Sequence, residues 1–242
     1  MMDEHFDVHA FAGTGKTFLM QSLIDVAPEM FTYLVPTTAQ MHGARVAAKA
    51  RALGLTRTRT MFGLAIEAAH RPLADRGIRH FRIGAAKTSP EMRCGLAGLS
   101  SIGSLSPADV LRVAEIAIGS WCESPSPELK EQHFKRAFPR GHRSSYAPLI
   151  AATTDVWNAM WAPRQNAQAF AHTLSHLVKW LDLVGARISP RNGMLLVDES
   201  HDLSRSSRRL LDLYAGGCVS SETTSSDSAA TLRARPGAPR NS

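Results

Sequence analysis

Two short segments near opposite ends of the chain hold residue types that could do chemistry on a triphosphate. In HAFAGTGKTFLM, residues 9–20, Gly15, Lys16 and Thr17 close a near match to G-x-x-x-x-G-K-[ST], with Ala10 standing where the first glycine belongs. In that pattern backbone N–H groups wrap the phosphates, the lysine reaches the outer ones and the hydroxyl ligates magnesium. In GMLLVDESHDL, residues 193–203, Asp198 and Glu199 directly follow an apolar run. Acids at the carboxyl end of a buried parallel strand stand where open α/β sheets place their ligands. There one acid holds Mg²⁺ and its neighbour orients and deprotonates water. Each segment also has a plain reading: a structural turn for the glycines, and a charge interacting with a helix dipole for the acids. Together they favour a nucleotide site.

The elements needed to position these groups are visible in the pattern. Residues 5–9 read as a short strand entering the glycine loop, and Thr17 to Val26 as a helix with Phe18, Leu19, Leu23 and Ile24 at helical spacing. FTYLVPT, 31–37, is a second apolar strand, followed by a helical run from Ala39 to about Leu53. Residues 57–69 look like a loop feeding another helix. Between about 70 and 188 the pattern is helical, as in PADVLRVAEIAIGSWC and NAQAFAHTLSHLVKWLDL, broken by Gly, Ser and Pro clusters, with no convincing strand. The apolar strand before Asp198 and a helix through SRSSRRLLDLYAG then complete the α/β part. The segment 218–242 is rich in Ser, Thr, Ala and Pro and is expected to be a disordered tail, since it has little apolar surface to offset its ordering entropy.

A-x-x-G-x-G-K-T at the amino end, then LVPTTAQ, T-x-x-G-L-A and LLVDESHDL, in that order, resemble the amino-terminal motifs of UvrD-like superfamily 1 DNA helicases. AFAGTGKT and the W-x-x-M of Trp157 to Met160 point towards the F-box DNA helicase branch. The resemblance implies an α/β P-loop NTPase fold: a RecA-like parallel sheet with helices on both faces, plus a helical 1B insertion. The 1A domain would be formed by 1–69 and 189–217, the insertion by 70–188 and the tail by 218–242. It implies ATP and Mg²⁺ as cofactors, with Ala10, Gly13, Thr14, Gly15, Lys16 and Thr17 around the nucleotide, Thr17 and Asp198 on the metal, and Glu199 as the base. Pro36 and Thr37 would touch the backbone of single-stranded DNA, as would Thr60 and Phe62.

Several positions depart from that pattern. Phe62 replaces a histidine, and His201 replaces the glutamine that couples nucleotide state to DNA. Only nine residues precede Ala10, leaving no room for an adenine-recognising glutamine motif. Past Gly217 the family's G-D-x-x-Q segment and second RecA-like domain are not found. Without that domain's arginines, hydrolysis would be slower by on the order of a thousandfold or more. The expectation is therefore the ATP-binding portion of an ATP-dependent DNA helicase of repair or recombination, unable to unwind alone unless a separate chain supplies the second domain. The alternative is a non-catalytic remnant that holds nucleotide or DNA.

Composition fits a polyanionic partner. The formal charge is +7, and phosphates neutralised by Lys or Arg release condensed counterions. KRAFPRGHRSSY sets Lys135, Arg136, Arg140 and Arg143 among Phe134, Phe138 and Tyr146, either to track a single strand or as a solvated loop. Arg76, Arg79, Arg82 and Lys87 form a second such patch. Trp157, Trp161 and Trp180 read as core. His172 and His176 are spaced i, i+4, yet no Glu lies between them and no third ligand is evident, which argues against a metal site. Cys94, Cys122 and Cys218 show no C-x-x-C spacing and read as reduced thiols. No apolar run of membrane-spanning length appears, and Asp3 and Glu4 open the chain, so a cytoplasmic protein is expected.

Overall fold

The apolar runs FTYLV and MLLV are too short for helices and too continuously apolar for strands with one wet face; they suit strands buried on both faces. The computed structural model, which describes residues 5–10, 16–27, 30–35, 58–78, 82–84, 88–138, 145–163, 169–189, 193–197, 200, 203–223 and 231–235, places them side by side. The chain divides into two compact units, residues 1–68 with 185–242, and residues 69–184.

The first unit is a mixed α/β structure built on a largely parallel sheet. Its strands are β1 (His5–Ala10), β2 (Phe31–Val35), β3 (Thr58–Thr60), β6 (Met194–Val197), β7 (Cys218–Thr223) and β8 (Thr231–Arg235), in the order β3-β2-β6-β7-β1-β8. Only β8 runs antiparallel, at the edge beside β1. In the register of β2 and β6, Phe31 faces Met194 and Tyr33 faces Leu196. These four side chains share one face, against which Leu23 and Ile24 of α1 (Lys16–Val26) pack. On the opposite face Thr32, Leu34, Leu195 and Val197 are all at most 1% exposed, so that face is closed, while Phe31, Tyr33 and Met194 on the α1 face are partly buried. Each such Leu withdrawn from water contributes roughly 1.5–3 kcal/mol.

Entry into β6 is tightly fixed. Gly193 has φ +68, and a Cβ there would lie 2.2 Å from the carbonyl oxygen of Met30. That carbonyl accepts from Met194 N at 2.7 Å, Leu195 N donates to the Gly217 carbonyl at 2.9 Å, and the Tyr214 hydroxyl donates to the Gly193 carbonyl. Only glycine combines this left-handed backbone with so close an approach.

Three sequence expectations need correction. The segment from 218 was expected to be a disordered tail, yet it provides β7 and β8. β7 lies between β6 and β1, so its backbone pairs on both edges, a source of order that side-chain composition does not report. A strand, β3, takes the place of the loop expected before α2 (Met61–Asp75). The helical region contains a two-residue parallel pair, β4 (Arg82–Ile83) with β5 (Ala171–His172). The helix expected from Ala39 to about Leu53 falls outside the described residues.

The second unit is mainly helical: α3 (Pro90–Leu96), α4 (Pro107–Cys122), a 3₁₀ turn (Glu131–Phe134), α5 (Ala147–Met160) and α6 (Leu174–Leu183). Ser89 and Ser106 cap α3 and α4 with Pro next in line, whose fixed φ suits the first helical position. Thr173 and His176 form a reciprocal capping box that starts α6 later than its apolar spacing suggests. Val113 and Ala117 of α4 pack with Phe134 and Leu149. Beside them Trp121, Trp157, Trp161 and Trp180 form a chain of ring contacts at 5.1, 5.5 and 5.2 Å, confirming the tryptophans as core. No described helix is long and apolar enough to cross a membrane.

Gly193→Ala should lower the unfolding free energy by about 2 kcal/mol or more, through both backbone strain and the clash with Met30. Urea denaturation of the variant and parent measures this, and matching midpoints would refute the close approach.

Candidate functional site

Because β1, β7, β6 and β2 are parallel, the strand ends at Ala10, Val35 and Val197 lie along one edge of the sheet. Val197 is level with Ser220, which is level with Asp7, so β1 continues three residues past the end of β6. Two inter-strand steps separate β1 from β6, about 10 Å. Ala10 is the last residue of β1, while Lys16 and Thr17 are the first two residues of the eleven-residue α1. The first turn of α1 carries no acid, so nothing there offsets the positive end of the helix dipole. Gly13, Thr14 and Gly15 lie outside the described residues, as do Asp198, Glu199, His201, Pro36 and Thr37. Their attachment to this edge is a matter of sequence adjacency to β1, β2 and β6.

Thr60 ends β3 and accepts a hydrogen bond on its Oγ1 from Gly63 N at 2.9 Å. Its hydroxyl thus caps α2 at the third helical amide, a structural task beside the proposed DNA contact. Phe62, the second residue of α2, is partly buried.

The basic stretch at 135–146 is less suited to stacking bases than its spacing implies. Phe134 is fully buried and packs on Tyr146 at 5.7 Å, while Phe138 meets the same tyrosine at 6.4 Å. Lys135 and Arg136 are exposed, and Arg140 and Arg143 lie outside the described residues. Of the second patch, Arg76 sits over the Trp180 ring at 5.3 Å, a cation–π contact that anchors it to the core. Arg79 and Lys87 lie outside the described residues, and so does the side chain of Arg82.

His172 and His176 serve the fold. His172 is buried and its Nε2 lies 3.1 Å from the Met160 carbonyl, while the Nδ1 of His176 accepts from Thr173 N at 3.3 Å. Burial and the neighbouring His172 push His176 down to about 4. Among the described residues no group of three or more His, Cys, Asp or Glu is placed to hold a metal. All three cysteines are buried and outside any disulfide, and burial pushes the Cys122 thiol up to about 12, which suits an inert core thiol. Sequence reasoning passed over Arg93 and Glu115, 22 residues apart, which form an ion pair in the helical unit. No local spacing marks such a pair.

No protein-family model matches the chain, and no curated protein matches it.

His176 is neutral in the fold and ordinarily titrates near 6.5, so its contribution to stability is complete above about 6.5 and is lost as pH falls towards about 4. The loss runs up to about 1.4 kcal/mol per pH unit. His133, also held below its ordinary value, first by burial and then by Lys179, acts in the same direction. Urea midpoints measured across this window should fall less steeply in His176→Asn than in the parent; an identical slope would place the titration elsewhere.

Proposed function

We propose that the chain is the ATP-binding portion of a superfamily 1 ATP-dependent DNA helicase of the UvrD-like kind. One observation supports this reading above the others. The strand that enters the glycine loop and the strand that precedes the acid pair are parallel members of one sheet, separated by a single strand, so their carboxyl ends open on the same edge. Ligands of open α/β sheets bind outside that edge. A strand followed by a helix whose amino end begins at Lys16 is the arrangement that receives phosphate.

In this reading Ala10, Gly13, Thr14, Gly15 and Lys16 would hold the nucleotide's phosphates, Thr17 and Asp198 would hold Mg²⁺, and Glu199 would take the proton of the attacking water. The bound metal would neutralise charge on the outer phosphates. Pro36, Thr37, Thr60 and Phe62 would lie along single-stranded DNA. One feature favours a second reading, a module that holds nucleotide without driving motion: His201 stands where the coupling glutamine belongs.

Binding of a fluorescent ATP analogue with Mg²⁺ should weaken by roughly tenfold or more in Lys16→Ala, since a charge-assisted contact to phosphate is lost. Equal affinity in the two proteins would remove the assignment. The purified 242-residue chain should show negligible DNA-stimulated ATP hydrolysis, and robust unwinding by it would overturn the reading of a nucleotide-binding portion.

A further inference from the structure

The helical unit contains a cavity of about 350 Å³. Five segments converge on it: Arg93 comes from α3, Glu115 and Ile118 from α4, Met160 from the end of α5, Phe170 from just before β5, and Thr173 with His176 from the start of α6. At the ~30 Å³ that a water occupies in the liquid, the volume suits a ligand of roughly a dozen non-hydrogen atoms. Its size and mixed lining are those of a small-molecule site.

The polar side of the cavity is rich in donors. Arg93 gives Nη1 to Glu115, while its Nε is buried with no hydrogen-bond partner among the described residues. A buried orphan donor on a guanidinium is costly and is usually met by some acceptor. Thr173 accepts from His176 N at 3.3 Å through its Oγ1, which leaves its hydroxyl hydrogen to donate. His176 accepts from Thr173 N through Nδ1 and its ring also hydrogen-bonds the Ala171 backbone, so it lines the cavity with its donor already engaged. The one acidic group is Glu115, and it is already paired with Arg93. Its negative charge sets a limit, because a dianionic phosphate beside it would be repelled more than a monoanion. Ile118, Met160 and Phe170 form an apolar wall for the remainder of a ligand.

We propose that this cavity binds a small organic monocarboxylate, its carboxylate received by Arg93 and Thr173 and its aliphatic or aromatic body lodged against Ile118, Met160 and Phe170. Arg93 offers a carboxylate the planar, charge-assisted contact that a guanidinium makes best. Glu115 acts as a positioning residue: its bond to Nη1 orients the guanidinium without using its remaining N–H groups.

The test uses the full chain and 4-phenylbutyrate, with titration calorimetry for affinity and methyl NMR of Met160 for location. We expect saturable binding with Kd near or below ~1 mM, shifting the Met160 methyl. The uncharged 4-phenylbutanamide and 3-phenylpropyl phosphate should each bind at least ~10-fold more weakly. Arg93→Gln should weaken 4-phenylbutyrate by a similar factor and narrow the difference between acid and amide. If that variant fails to fold, the acid-to-amide ratio in the parent decides. Absence of saturable binding up to about 10 mM, or equal affinity for acid and amide, would overturn the proposal. Tighter binding of a hexapeptide ending in a free Phe carboxylate would overturn its small-molecule form, by assigning the cavity to a chain terminus.

Discussion

The sheet depends on four residues, Met194–Val197, being inserted between β2 and β7 when the chain returns from its helical excursion. A strand in this position must satisfy its backbone on both edges and bury most of its side chains, because it has a strand on each side. Its entry is correspondingly constrained. Gly193 takes a positive φ, Met194 bonds back to Met30, Leu195 bonds to Gly217, and Tyr214 reaches the Gly193 carbonyl. These contacts join the start of β6 to the turn before β2 and to the segment leading into β7. The alignment of strand ends on the candidate nucleotide edge follows from that register.

The helical unit is organised by a different device. The four tryptophans form a continuous aromatic chain, and buried Lys179 supports one end of it. Its Nζ lies 5.2 Å from the Trp121 ring and donates to the Ser124 and Ser126 carbonyls at 2.9 and 2.7 Å. Trp121 Nε1 donates to the same Ser126 carbonyl at 3.0 Å. A buried ammonium is tolerable only with such partners, and here they tie the segment after α4 to α6. With those helices held, Arg93, Glu115 and His176 meet around one cavity. This unit thus has a site chemistry of its own, with one ion pair and neutral donors against an apolar wall.

Elements whose signals are local were legible in advance. The strand ending at Ala10, the helix starting at Lys16, the apolar strand before Asp198 and the helix PADVLRVAEIAIGSWC all appear where the pattern put them, because periodicity and capping act within a few residues. Illegible features were those whose cause lies across the chain. β7 looked like a tail because its composition is polar, but its order comes from two ladders with strands far away in sequence. Phe134 looked available for stacking on bases because it sits among basic residues, yet Ala117 and Leu149 enclose it. The span NAQAFAHTLSHLVKWLDL read as one helix, but β5 and the Thr173 cap divide it.

By itself the sequence determined which residue types stand next to one another: the glycines before Lys16 and Thr17, the acids after an apolar strand, the Ser-Pro pairs that start α3 and α4. Such features depend on backbone dihedrals and on bonds between near neighbours, which the local chain fixes. Tertiary structure alone decided that β7 lies between the two strands leading to the candidate nucleotide edge, and that Arg93, Glu115 and His176 share one cavity. Those meetings depend on which buried faces pack together, and burial is a property of the whole fold rather than of any segment in it.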